Sequence, residues 1–466
     1  MPTTARERTW EWRHFAALWV GMVVCVPTYT LAAGLIAGGM SLTQAVLTVF
    51  LGNLIVLVPM LLIGHAGAKH GVPYPVLARA SFGVLGARLP AMLRAVVACG
   101  WFGIQTWIGG MAIYQILNIL TGDALRGTPL GYFGADLGQL ACFLVFWAIH
   151  LYFIKHGTES IRWLETWSAP VLLVMGVALL GWAWMQAGDW SKLLGQPATF
   201  QSDAEFWAAF WPSLTAMVGF WATLALNIPD FTRFAKSQKD QVLGQALGLP
   251  IPMGFFAFIG AAVASATLLV YGKAIWDPVE LAGHMGGFAV VLALLLLIIA
   301  TLTTNIAANV VSPAYDFSIL APQKIDFARG GYITAAVGIL MHPWFLLGSL
   351  SGYIFTWLIG YSGLLGPIAG ILLADYYLVR QTELDATALY RRHGEYAYGG
   401  SGWNPAALIA FALGVLPNVP GFLQAASNGA IQVPAFLNTL YGYAWFVGLG
   451  IAFVVYLGLM AGKRRA

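Results

Sequence analysis

Apolar residues run along this chain in blocks, separated by short connections in which the charged residues collect. About 20 apolar residues cross the hydrocarbon of a bilayer as a helix. Twelve such blocks can be counted, centred near Val24, Val56, Gln105, Leu144, Met175, Leu214, Phe258, Leu296, Val337, Ile359, Phe411 and Leu449. The connections are too short to hold a soluble domain or a linker. The pattern therefore predicts one all-α, polytopic membrane domain over residues 1–466, with residues 1–14 ahead of the first span.

The placement of charge tests that count independently, because Lys and Arg prefer cytoplasmic loops. With the amino terminus inside, the even-numbered connections and the carboxy-terminal tail also fall inside. Arg6, Arg8 and Arg13 precede span one; Lys69, Arg79, Arg88 and Arg94 lie between spans two and three; Lys155 and Arg162 follow span four. Arg233, Lys236 and Lys239 follow span six, then come Lys324 and Arg329, then Arg380, Arg391 and Arg392, and finally Lys463, Arg464 and Arg465. That places 20 basic residues inside and only Arg126, Lys192 and Lys273 outside. A wrong span count would scramble this alternation, so both termini are expected in the cytoplasm.

Composition agrees. Of 466 residues, 59% are hydrophobic and 9% charged, where a soluble domain needs roughly a quarter charged. A net charge of +4, dispersed over many loops, gives no reason to expect nucleic acid as a partner. Cys25, Cys99 and Cys142 all sit in apolar runs, so no disulfide framework is implied. The run from Phe15 to Ala37 is longer than a signal-peptide core and lacks a cleavage site, which predicts a retained first span. The lack of a targeting extension points to a bacterial inner membrane.

A bundle of this kind is a transporter, a channel or a membrane-embedded enzyme. An enzyme would show paired aspartates or a histidine cluster at the membrane face. His65, His70, His150 and His156 lie near helix ends at spacings that suit interfacial residues rather than metal ligands. No G-x-x-x-x-G-K-[ST] phosphate loop is present, so direct use of nucleotide energy is not expected. Secondary transport or a pore remains, with no enzyme activity and no organic cofactor.

The informative residues are then the polar ones within the spans. Asp230 and Asp375 lie at helix ends, and what remains at depth is amide, hydroxyl and indole: Gln105, Trp221, Asn227 and the stretch TLTTNIAAN at 301–309. Trp101 and Gln105 are four apart and share a helix face, as do Asn305 and Asn309. Trp107 is off that face and reads as packing. Amides match the adjacent N–H and C=O groups of a neutral heterocycle, and indole supplies stacking area at small entropic cost. Singly, each of these residues also suits plain helix–helix packing; their concentration in spans three, six and eight points to a binding site. Pro27 in CVPTYTLAAG and Gly219 in VGFWATLALNIP mark two interrupted spans, the setting in which transporter sites form. Both open a five-span half if spans one to five and six to ten are repeats.

Four blocks carry a family resemblance. GWFGIQTWIGG, NIPDFTRFAKSQKDQVLGQALGLP (227–250), TNIAANVVSPAYDF (304–317) and GPIAGILLADYYLVR followed by LYRRHGEYAY resemble nucleobase:cation symporter family 1, over roughly Trp10 to Ala461. The resemblance implies a five-plus-five inverted repeat (residues 15–186 and 205–378) with broken helices one and six, and two further helices (403–461). It implies alternating access driven by a cation gradient, and substrates among purines, pyrimidines, allantoin and hydantoins.

Carried over residue by residue from the hydantoin-carrying branch, Trp101 would stack on the substrate ring and Gln105 bond to it. Trp221 would cover the other face and Asn309 would add a further hydrogen bond. Two positions depart from that branch: Cys25 stands where it has a glutamine in the first break, and Phe220 replaces a glycine beside the stacking tryptophan. Backbone carbonyls of Gly21, Val24 and Ala300 with the hydroxyls of Thr303 and Thr304 correspond to its sodium site. No carboxylate or histidine is obvious at mid-depth for proton coupling, so sodium is the expected cation, with a proton as the alternative. The expected cargo is a neutral nucleobase or ureide, uracil or allantoin before a hydantoin; the bilayer is the expected surrounding and no obligatory protein partner is implied. A passive channel for small neutral solutes is the reading from a different class.

Overall fold

The computed structural model describes residues 2–131, 134–156, 158–321, 323–349 and 352–463, with the side chains of 158–172 and 463 outside that description. Among the described residues the chain is all helix and loop, with an isolated backbone bridge between Trp10 and Ala235. Seven helices among the described residues are long and apolar enough to cross a membrane: Leu42–His70, Arg88–Thr121, Leu137–His156, Gln238–Tyr271, Phe288–Ser318, Gly352–Val379 and Pro405–Ala426. Three further pairs reach that length together but bend at a break, by 59° between Trp12–Val23 and Val26–Ala37, by 42° between Asp203–Phe220 and Ala222–Thr232, and by 87° between Ala435–Tyr441 and Ala444–Leu459. Two shorter apolar helices, Leu173–Ala187 and Phe327–Leu340, complete the set. Eleven of the twelve apolar centres fall within one of these helices, and the first, Val24, lies at the break between Trp12–Val23 and Val26–Ala37.

Burial separates the middle of the bundle from its lipid face. The apolar windows of Arg88–Thr121 and Gly352–Val379 are 78% and 89% buried, against 28% for Leu137–His156 and Pro405–Ala426. The first two are therefore central, and the last two present apolar side chains outward, as do Val174, Leu340 and Val454. Close packing at the centre needs small residues: a Cβ at Gly219 would lie 2.0 Å from Ser362 Oγ, and one at Gly100 would lie 2.1 Å from the Trp357 ring. Helix Gly352–Val379 thus rests directly on the other two elements.

The first break is local. Cys25 is extended (φ −145°, ψ 161°) and caps the helix that follows. Its N–H bonds to the Val23 carbonyl at 2.9 Å rather than to that of Gly21, so the Gly21 carbonyl loses its helical partner. The second break centres on Trp221 (φ −103°, ψ 8°), the hinge between the two helices it joins.

Both chain ends lie at one end of the bundle, the one rich in Lys and Arg. Trp10 pairs with Phe234 and Lys236 through its backbone, Arg8 Nη1 donates to the Ala68 carbonyl at 3.0 Å, and Lys69 pairs with Glu383 at 2.7 Å. Tyr456, near the end of the last helix, donates to Asp375 at 2.8 Å. Arg162 is described in its backbone alone, and Arg464 and Arg465 lie outside the described residues.

Just inside this end is a buried polar network. Arg94 and Asp316, each 1% exposed, form an ion pair at 3.0 Å. The Asn227 amide oxygen accepts from Arg94 Nη2 (3.1 Å) and from Ser312 Oγ (2.8 Å), while its nitrogen donates to the Thr223 carbonyl (2.9 Å). Asp230 accepts from the Tyr74 backbone N–H at 2.8 Å. Asp316, which sequence reading did not single out, also lies near a helix end, the last turn of Phe288–Ser318, and is fully buried there with Arg94 compensating its charge. Asn227 likewise belongs to this network and not to a ligand pocket. Breaking such a pair strands a charge, at roughly 3–5 kcal/mol, whereas replacing both partners by apolar groups is close to neutral. Arg94→Met is therefore expected to lower the thermal stability of the detergent-solubilised protein by several degrees, and Arg94→Met combined with Asp316→Leu to recover most of it. Equal losses in the single and double variants would contradict the pairing.

Candidate functional site

Trp101 lies on the central helix Arg88–Thr121 and is 6% exposed. Four rings meet it edge-on: Phe220 at 5.3 Å, Trp357 at 6.0 Å, Tyr353 at 6.2 Å and Tyr361 at 6.4 Å between centroids. Phe220 in turn meets Trp221 at 5.0 Å, and Trp221 meets Trp19 at 5.2 Å. Of the residues expected in the site, the structure thus gathers Trp101, Phe220 and Trp221 into one aromatic group, with Gln105 a helical turn along. The two indoles do not face each other across an open slot. Phe220 stands nearly perpendicular to both, at 78° and 87°.

Sequence reasoning missed the third wall. Tyr353, Trp357 and Tyr361 are spaced by four along Gly352–Val379, a stripe that one helix face would carry, and this spacing was the available signal. The first turns of that helix, Gly352–Leu358, are π-helical, a form that recurs at functional sites.

The polar atoms of this group are buried without partners. Gln105 Oε1, Trp221 Nε1, Tyr353 OH, Trp357 Nε1 and Tyr361 OH all lack a hydrogen bond among the described residues. A buried polar atom left so costs about 1–3 kcal/mol, and in folded proteins such atoms are exceptions that call for an explanation. Five of them around one aromatic group form a surface that offers hydrogen bonds to a guest.

Asn309 approaches from Phe288–Ser318. Its Nδ2 donates to Asn305 Oδ1 at 3.0 Å, and Asn305 Nδ2 lies 3.0 Å from the Phe102 carbonyl and 3.1 Å from Thr106 Oγ1. Phe102 and Thr106 are the immediate neighbours of Trp101 and Gln105, so the amide pair is tied to the same stretch of helix. Cys25 is not gathered with the others. Its thiol pairs with Thr28 Oγ1 at 3.3 Å, and it lines a separate cavity of about 50 Å³ with Tyr29, Phe256 and Leu297. Trp107 packs on Phe143 and Trp344 at 5.9 and 5.8 Å, as its position off the Gln105 face implied.

Two further corrections concern histidine. His150 is not interfacial: it is fully buried and touches Asn305 Nδ2 with Nε2 at 3.1 Å. The expectation that no histidine lies at depth fails with it. His65, His70 and His156 do bond locally near the basic end, to Tyr376, Thr382 and Tyr152.

The oxygens expected around a cation lie on the first break and on Phe288–Ser318, which pack against each other. Thr303 Oγ1 donates to the Ala300 carbonyl at 3.0 Å, an arrangement that ordinary back-bonding of a helical hydroxyl also produces. Val24 and Ala300 are buried, Thr304 is 8% exposed, and nothing within 4 Å fills the space where a Gly21 Cβ would be. The donor set is all oxygen, two hydroxyls and three carbonyls, which suits a hard cation.

The comparisons with known proteins agree with this architecture. A family model described as permease for cytosine/purines, uracil, thiamine, allantoin matches residues 2–448. The purine-uracil permease NCS1 of Arabidopsis thaliana is 47% identical over 100% of this chain and 77% of its own length. The allantoin permease of Bacillus subtilis is 40% identical over 99% and 92%. Among solved structures, the inward-facing conformation of Mhp1 is 27% identical, with a TM-score of 0.79 over 99% of this chain and 92% of that one. Mhp1 closed with bromovinylhydantoin bound is 26% identical, with a TM-score of 0.75 over 99% and 94%. With a family model over nearly the whole chain and these relatives, the chain belongs to nucleobase:cation symporter family 1 and is a multi-pass membrane transporter, not an enzyme.

Proposed function

We propose that this transporter imports a neutral nucleobase, ureide or hydantoin by sodium symport, with alternating access about a site between Trp101, Gln105, Trp221 and Asn309. The observation that carries the reading is the set of five unpartnered polar atoms around Trp101. A flat ring with N–H and C=O groups at its edge would satisfy them while its faces meet indole. No carboxylate or basic side chain belongs to the aromatic group, which favours a neutral guest over an ion.

Architecture supports the same reading. The bends of 59° and 42° fall in the first and sixth of the twelve apolar elements, consistent with a five-plus-five repeat, twelve spans and the basic end in the cytoplasm. The Arg94–Asp316–Asn227 network sits about two helical turns toward that end from Trp101, Asn309 and Trp221 respectively, roughly 10 Å at 1.5 Å per residue. On this reading it blocks the inward path and separates when the carrier opens inward. The cation would sit among the carbonyls of Gly21, Val24 and Ala300 and the hydroxyls of Thr303 and Thr304, beside the first break, so that filling its site and ordering the break are coupled.

Uptake of labelled uracil and allantoin into proteoliposomes is expected to exceed equilibrium with an inward sodium gradient. Accumulation with a proton gradient alone would replace sodium by the proton, and uptake that never passes equilibrium would make the protein a facilitator. Asn309→Ala and Trp221→Ala are each expected to lose most ligand binding while the protein stays folded in detergent; wild-type affinity in both would place the pocket elsewhere. Phe220 fills the space between the two indoles, so Phe220→Ala is expected to raise the affinity for a bulky 5-substituted hydantoin relative to uracil, by about tenfold for 1–2 kcal/mol of relieved crowding. An unchanged ratio in a competition assay would show that the ring does not set pocket size.

A further inference from the structure

His150 stands edge-on between Phe102 (5.1 Å, 75°) and Phe146 (4.7 Å, 86°) and is 0% exposed. Its Nδ1 lies 2.9 Å from the Phe146 carbonyl. A carbonyl only accepts, so Nδ1 carries the proton, and in the neutral ring Nε2 is left with a lone pair. That lone pair faces Asn305 Nδ2 at 3.1 Å.

The same Asn305 nitrogen meets two more acceptors, the Phe102 carbonyl at 3.0 Å and Thr106 Oγ1 at 3.1 Å. Thr106 gives its own proton to the Phe102 carbonyl at 2.6 Å, so it too offers a lone pair. Turned over, the Asn305 amide would place its oxygen against three acceptors, so the nitrogen faces them; the Phe102 carbonyl already accepts from Thr106, and the two amide protons are shared among the three with His150 Nε2 and Thr106 Oγ1 within reach. Oδ1 of Asn305 must therefore face Asn309, whose Nδ2 donates to it at 3.0 Å. With that nitrogen committed, the Asn309 oxygen is the atom that no hydrogen bond from a described residue reaches.

We infer that His150 is a positioning residue for the transport site: acting through Asn305, it fixes the Asn309 amide so that its carbonyl oxygen is presented to a ring N–H of the substrate. This rests on the proposed reading that Asn309 faces the substrate, and deepens it. The substrate edge selected is one that carries an N–H donor, as uracil and allantoin do, and an N-methyl group at that edge would meet the oxygen with nothing to donate.

Two measurements on the purified full-length protein test it. In lipid nanodiscs, ¹⁵N-histidine NMR at neutral pH, with His150 assigned by loss of its signals in His150→Gln, is expected to show Nδ1 protonated and Nε2 unprotonated. The Nε2 resonance should move in Asn305→Ala; a protonated Nε2, or one indifferent to Asn305→Ala, overturns the relay whatever the ligand. In binding assays with uracil and allantoin, His150→Leu is expected to weaken the better ligand about tenfold, the loss of one hydrogen bond of about 1.4 kcal/mol. His150→Gln, whose Oε1 restores an acceptor near the Nε2 position, should recover most of that affinity. His150→Leu combined with Asn309→Ala should be no weaker than Asn309→Ala alone, as for two members of one network. Should His150→Leu fail to fold, His150→Asn, which keeps a donor for Phe146 but no acceptor at Nε2, takes its place. Loss in Asn309→Ala with wild-type affinity in the His150 variant overturns the positioning role alone; no loss in Asn309→Ala overturns the pocket reading itself.

Discussion

In a bundle surrounded by hydrocarbon, a polar atom finds its partner inside the protein or has none. Among the described residues, some buried polar groups meet this constraint through partners on other helices and others, at several places in the bundle, do not. Arg94, Asp316, Asn227 and Ser312 bond to one another near the basic end, and His150, Asn305, Thr106 and Asn309 form a second chain deeper in, open at the Asn309 oxygen. Around Trp101, four polar atoms of the aromatic group and Gln105 Oε1, a helical turn along, have no partner among the described residues. The paired groups hold helices together; those around Trp101 are the surface we propose meets the substrate.

The helices that carry these groups are positioned by close contacts and by two breaks. Gly219 and Gly100 let the helix Gly352–Val379 rest on its neighbours, bringing Tyr353, Trp357 and Tyr361 to Trp101. The break at Trp221 turns Phe220 and Trp221 into the same group, and the break at Val24 and Cys25 frees backbone carbonyls beside Thr303 and Thr304. The proposed site, the proposed cation oxygens and the inner network all have members on Phe288–Ser318, and the site and the inner network also share Arg88–Thr121 and the segment about the second break.

Much of this was legible in the sequence, because lipid imposes a simple rule on helix length and loop charge. Eleven of the twelve apolar centres fall in apolar helices and Val24 falls at a break between two, and the four-residue spacing of Trp101 and Gln105 puts both on one face of Arg88–Thr121. What was not legible depends on partners distant in the chain. The pairing of Arg94 with Asp316 spans 222 residues, so nothing local distinguishes Asp316 from a loop carboxylate. His150 was misplaced because it lies only six residues from the exposed His156; its burial comes from Phe102 and Asn305 on other helices. Cys25 sits at the break as expected, yet its thiol turns to Thr28 and another cavity, since backbone direction at a break cannot be read from residue type. The stripe Tyr353, Trp357 and Tyr361 was visible, but an aromatic stripe is ordinary in a membrane helix until Trp101 is seen against it.

The central claim is that the unpartnered atoms around Trp101 belong to the substrate, and an experimental structure with allantoin or uracil bound tests it most directly. The account predicts the ring between Trp101 and Trp221, with Phe220 displaced, Gln105 and Asn309 within hydrogen-bond distance, and the Asn309 oxygen against a ring N–H. Ligand density elsewhere, with Gln105 Oε1 and the hydroxyls of Tyr353 and Tyr361 still unbonded, would contradict it.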